Sequence, residues 1–309
     1  MSPALPAVEG RATQTAGVQT VAPRLRRSPW EARALRSEIL TVGAWIAAIV
    51  ASVPLFSVLY MLIVRGGSRL SWEVLVELPP AGFEMGGGFG NAIVGTLVMV
   101  GLGALISVPV GIAGAVFLAE LGPNSSLAGA VRFAAKTLTG LPSILAGVFA
   151  YASVVLVTGT YSAPAGAVAL AVLMVPTVLL TAEEAMKMVP RITKDAAYGL
   201  GCTRSQVIWK IVLPTAMPGI LTGVMLAVAR AAGETAPLLF TALFSSYWLV
   251  EQGGVRLMRP TASLAVLIYN FSGMPFENQI ELAWAASLVL VMIVLFINIV
   301  SRLLGHRRA

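Results

Sequence analysis

The sequence predicts an all-α membrane protein with six transmembrane helices and both termini cytoplasmic, and three observations carry that prediction. Of 309 residues, 57% are hydrophobic and 11% charged, against roughly 45–50% and about 25% in an average soluble domain. The charges fall in short blocks between uncharged stretches long enough to cross a bilayer, which takes about 20 apolar residues. The 21 Lys and Arg outnumber the 14 Asp and Glu, and they collect on one side of the resulting spans. A single Cys, Cys202, leaves no intrachain disulfide. A single His, His306, excludes His-clustered metal sites and His-based acid/base chemistry.

Residues 1–38 are rich in Pro, Ala, Thr and Gln and then basic, which predicts a disordered cytoplasmic tail. The 26 uncharged residues of 39–64 are too long for the roughly 7–15-residue core of a signal peptide and form the first span. An external loop, 65–90, ends in Gly86-Gly87-Gly88-Phe89-Gly90, and a second span near 91–118 is bent at Pro109. On that span Gly103, Ser107, Gly111 and Ala115 recur every four positions and make a small-residue stripe for close helix packing. The 46 uncharged residues between Lys136 and Glu183 exceed one helix and divide at Gly159-Thr160-Tyr161-Ser162-Ala163-Pro164 into spans 137–158 and 164–182. A cytoplasmic loop, 183–214, leads to a fifth span, 215–243. The external loop 244–281 holds an apolar stretch at 262–271, too short to span and read as a surface or re-entrant helix. The sixth span, 282–301, closes a membrane domain of 39–304, and 305–309 is a short cytoplasmic tail. With this division 16 Lys and Arg lie on the side of the termini and four on the other (Arg65, Arg69, Arg256, Arg259). The positive-inside rule then makes the termini cytoplasmic.

The loop 183–214 carries a local pattern of its own. After Pro190 a short helix can run through Asp195, Ala196 and Ala197 to a left-handed stop at Gly201. Thr203 with Gln206 three positions on is a capping-box start. A second short helix would set Val207, Ile208 and Ile211 on one side and end at Leu213-Pro214. Periodicity leaves two readings open: a pair of helices lying on the lipid surface, or a docking knob for a cytoplasmic partner.

In the fifth span, Gly219, Gly223, Ala227, Arg230 and Glu234 fall within an arc of about 80°. Arg230 lies about 18 Å beyond Pro218 at helical rise, near mid-bilayer, where Arg costs about 2.5–3.5 kcal/mol and must face protein or water. Either Arg230 and Glu234 neutralise each other at i,i+4, or Arg230 offers a guanidinium fork to a tetrahedral oxyanion in a water-filled path. In the second case Glu234 orients Arg230 and keeps binding weak enough for release.

Two strings of residues resemble known proteins. Asp195-Ala196-Ala197, then Gly201, then Ile211, Leu213 and Pro214 match in spacing the EAA loop of bacterial ABC importer permeases, with Asp195 in place of the usual Glu. In that family the loop inserts into a cleft of a separate ATPase subunit. The run from Ala229-Arg230 through Gly233-Glu234-Thr235-Ala236-Pro237-Leu238-Leu239 is similar to the A-type permeases, PstA, of the phosphate (Pst) importer. That likeness extends to Leu141-Pro142-Ser143-Ile144, Thr181-Ala182-Glu183-Glu184-Ala185 and Ala283-Trp284-Ala285, and covers roughly 35–305.

The resemblance implies a type I importer permease in the bacterial inner membrane, with a path through Arg230, Glu234, Thr235 and Ser143. It implies a PstC-like permease as heterodimer partner, an ATPase dimer that binds ATP and Mg, an external phosphate-binding protein, surrounding lipid, and no nucleic acid. One departure is Leu180, where the family often has a second Arg. The chain has no G-x-x-x-x-G-K-[ST] phosphate loop, so ATP hydrolysis is expected elsewhere and no cofactor on this chain. The alternatives are a permease for sulfate or molybdate, a membrane-embedded enzyme, for which the spans lack paired catalytic groups, and a secondary transporter, for which inverted repeats are lacking.

Overall fold

The computed structural model describes residues 32–251 and 254–306. The chain divides into two compact units, Met1–Phe56 and Ser57–Ala309. The described part of the first is the opening of α1, Ala32–Met61. This helix starts before the predicted 39, because Ala, Arg, Leu and Glu are strong helix formers and extend it beyond the apolar run. The remainder of the predicted disordered tail, 1–31, lies outside the described residues. At its other end α1 continues through a π turn, Leu62–Gly66, to Arg69, so Arg65 and Arg69 are helical rather than in the loop predicted from 65.

In the second unit a short helix, α2 (Trp72–Val76), is capped by Ser71, whose hydroxyl accepts from the Val74 N–H. Helix α3 (Gly90–Val116) includes Pro109 and runs on through a π turn, Phe117–Leu121. The span predicted at 137–158 is two helices. α4 (Ser126–Gly140) and α5 (Ser143–Ala150, continuing to Thr158) meet at an angle of 106°. Pro142 explains the correction: it lacks an N–H and forces Leu141 into the extended region, at ψ 144°. Helix α6 (Ala163–Lys187) is followed by α7 (Arg191–Gly199) and α8 (Arg204–Val207).

From α8 the chain passes through a π turn, Ile208–Val212, straight into α9 (Leu213–Ala232). Leu213-Pro214 therefore does not end the second loop helix, as the sequence predicted. The wider π turn just before Pro214 relieves the contact of its ring with the preceding turn. The fifth span, predicted unbroken to 243, stops at Ala232 and resumes as α10 (Ala236–Thr241). Gly233 is a poor helix residue, and Pro237 would meet its carbonyl in a continuous helix. A two-strand antiparallel hairpin, β1 (Val250–Glu251) and β2 (Gly254–Val255), precedes α11 (Leu264–Ser272) and α12 (Glu277–His306). Among the described residues five helices are long and apolar enough to cross a membrane, or six if the bent α4–α5 pair counts as one.

The centre of this unit is α6, flanked by α3 and α9. Gly103, Ser107, Gly111 and Ala115 are all buried, and the two glycines face Leu170 and Val178 of α6. The first half of α11 is buried rather than on the surface: Leu264, Val266 and Leu267 are fully buried, and its first N–H donates to Thr96 Oγ1 at 2.8 Å, while Tyr269 further along is exposed. Gly223 brings α9 onto α6, since a Cβ there would lie 2.6 Å from the Cβ of Thr181. Gly223→Leu should accordingly destabilise the chain by about 1–3 kcal/mol through overpacking, read as a lower melting temperature and lower yield of assembled complex.

Candidate functional site

Two sets of residues predicted to act lie at the two ends of α9. At its C-terminal end, Arg230 stands in the last turn, where the partial negative charge of the helix terminus favours a cation. Its Nε lies 3.4 Å from Glu234 Oε1, with the side chains 47% and 16% exposed. Glu234 reaches Arg230 from the break between α9 and α10, not from the face of one continuous helix as the sequence suggested. Gly233 N–H and Glu234 N–H close the turn onto the carbonyls of Arg230 and Ala231. A pair this exposed contributes only about 0.3–0.5 kcal/mol. It engages one guanidinium nitrogen, and among the described residues no hydrogen bond or ion pair occupies the two terminal nitrogens of Arg230.

Thr235 precedes α10 half-buried, and its carbonyl accepts from Leu238 and Leu239 N–H. Ser143 is the first residue of α5, also half-buried. No hydrogen bond among the described residues joins Ser143 to Arg230 or Glu234. What relates them is packing: α5 crosses α10 so closely that a Cβ on Gly147 would lie 2.6 Å from Pro237 Cα. The two interrupted spans thus meet beside their breaks.

At the other end of α9 the elbow has the predicted local chemistry. Gly201 adopts φ +82°, the left-handed region that disfavours a side chain. Thr203 and Gln206 form a reciprocal capping box. Asp195, Ala196, Gly201 and Pro214 are exposed, Ile211 and Leu213 half-buried, and Ala197 buried. The apolar face of Ala197, Val207 and Val212 is buried in the protein core, and Ile208 beside it is buried as well. On the outside stand Met188, Ile192, Leu200 and Trp209, from 64% to 86% exposed.

Several charged residues bearing on this region were given no role by sequence reasoning. Buried Glu183 accepts from Arg132 Nε at 2.7 Å and pairs with Lys187 at 2.5 Å. Arg132 also donates to the carbonyls of Leu118 and Pro123, tying α4, α6 and the end of α3 together. Lys194 of α7 pairs with Glu120. Only Glu183 and Lys187, four apart on one helix, left a local signal; the other partners are distant in sequence.

Comparison with known proteins places these features in context. A family model described as "Binding-protein-dependent transport system inner membrane component" matches residues 108–309. The phosphate transport system permease protein PstA of Pasteurella multocida is 38% identical over 271 residues, covering 88% of this chain and 95% of that protein. PstA of Yersinia pestis is 39% identical over 251 residues, covering 81% of this chain and 83% of that protein. Among solved structures, a bacterial alginate ABC transporter in complex with a pentasaccharide-bound periplasmic protein aligns with TM-score 0.62 at 17% identity. It covers 89% of this chain and 96% of the matched one, a likeness of fold.

Proposed function

The chain belongs to the binding-protein-dependent transport system inner membrane components and, among them, to the PstA permeases, and from that membership we propose how its parts divide the work of phosphate import. It is a multi-pass inner-membrane permease subunit of an ABC phosphate transporter, and the ATPase is a separate component. Arg230 is the anion-binding group of the path. Its terminal nitrogens form a fork that fits two oxygens of a tetrahedral oxyanion, while Glu234 at Nε holds the group in place. The half-exposed, half-engaged guanidinium at the α9–α10 break is the observation that supports this role. Glu234 also repels the anion, so that binding stays reversible. Thr235 and Ser143 supply hydroxyls along the same path.

The elbow 191–212 is the coupling element. Its inward apolar face and outward Ile192, Leu200 and Trp209 suit a knob seated in a partner better than a helix pair lying on lipid. The ATPase dimer, with its ATP and Mg, docks there, which makes this end and both termini cytoplasmic. The loops after α10 then face the external phosphate-binding protein, and a PstC-like permease completes the path. Switching between outward and inward states moves the anion as ATP is consumed. Competition tests the anion class: excess unlabelled phosphate should abolish labelled phosphate uptake, and equal excess of sulfate or molybdate should leave it unchanged. Inhibition by sulfate equal to that by phosphate would overturn the assignment.

A further inference from the structure

The end of α3 is held by basic side chains from both arms of the coupling elbow. Lys194, on α7 before Gly201, pairs with the Glu120 carboxylate, and the two side chains are only 17% and 10% exposed. Arg204, on α8 after Gly201, donates to the Glu120 carbonyl and, at 2.9 Å, to the Leu121 carbonyl. The last carbonyls of a helix have no partner within it, so Arg204 supplies what the terminus of α3 lacks. We propose that Glu120 is a positioning residue for energy coupling, the strut through which the elbow carries α3 with it. This rests on the reading of 191–212 as the docking element.

The reason is connectivity. The elbow is joined through the chain to α6 on one side and to α9 on the other, so both helices follow it when it moves. Helix α3 has no such link, yet its small-residue stripe is packed along α6. If the elbow moved alone, α3 would have to slide across that tightly fitted seam. A sheltered ion pair flanked by two carbonyl bonds fixes the end of α3 to both arms and lets the three helices shift together.

The test uses the whole transporter in proteoliposomes, measuring phosphate delivered per ATP hydrolysed in the presence of phosphate-loaded binding protein. Glu120→Gln should keep its ATPase and hydrolyse ATP, while phosphate moved per ATP falls by about fivefold or more. Glu120→Asp, which keeps the charge, should restore most of that ratio. Because Glu120→Gln leaves Lys194 without its partner, the double variant Glu120→Gln/Lys194→Met, with neither charge, serves as the second readout and should be equally uncoupled. An unchanged ratio would overturn the proposal. So would loss of hydrolysis and uptake in step, or failure of both variants to assemble, since the contact would then only hold the fold. Gly201→Trp run alongside separates the two levels: if it retains the ATPase, the docking reading fails whatever Glu120 does. If it loses the ATPase while the Glu120 variants transport with the wild-type ratio, only the strut fails.

Discussion

Arg230→Ala should assemble with its partners and lose phosphate uptake. Two charge-assisted hydrogen bonds to the anion, each about 1.5–3 kcal/mol, correspond to a fall of about 100-fold or more at 1.4 kcal/mol per decade. Stability should change little, because Arg230 is half exposed and its contact with Glu234 spans 3.4 Å. Arg230→Lys keeps the charge without the planar fork and should retain uptake between that of wild type and alanine. Glu234→Gln removes the repulsion while leaving a hydrogen-bonding side chain, so the anion should bind more tightly and leave more slowly. Uptake of labelled phosphate against time, normalised to assembled complex, reads all three. A purely structural pair gives the opposite pattern: Arg230→Ala transports like wild type once assembled.

Gly201→Trp should abolish both ATPase co-purification and uptake, for two separable reasons. Any side chain at φ +82° meets the penalty of the left-handed region, about 1–2 kcal/mol. Within this chain there is room, since nothing lies within 4 Å of a Cβ placed there, so the indole projects from an exposed elbow into the space a docked subunit would fill. Gly201→Ala carries the backbone penalty alone and should weaken co-purification without abolishing it. The difference between the two variants isolates steric exclusion of the partner. Equal retention of the ATPase by both would show that the elbow is not the docking surface.

What could be read in advance depended on how local each determinant is. Uncharged runs marked the spans, because a bilayer registers the absence of charge over a stretch of residues. The capping box at Thr203, the left-handed Gly201 and the stripe from Gly103 to Ala115 were legible for the same reason: each is a pattern among residues close in sequence. Hydropathy carries no information on direction, so it gave neither the sharpness of the turn at Leu141-Pro142 nor the interruption after Ala232. Proline was ambiguous in both senses. Pro142 and Pro237 accompany breaks, whereas Pro214 sits in a continuous run because a π turn accommodates it.

The candidate site was partly legible. Arg230 and Glu234 stood out as charges in an apolar segment, and their contact exists, though through a break in the helix. The pairings of Arg132 with Glu183 and Lys194 with Glu120 had no sequence signature, since tertiary packing alone brings those helix ends together.

The most direct measurement is uptake of labelled phosphate by proteoliposomes holding the assembled transporter, with ATP inside and phosphate-loaded binding protein outside, comparing wild type with Arg230→Ala. ATP-dependent uptake by wild type and its loss in an alanine variant that still holds its ATPase is the expected result. Equal uptake by the two, at equal assembly, would contradict a path that runs through Arg230.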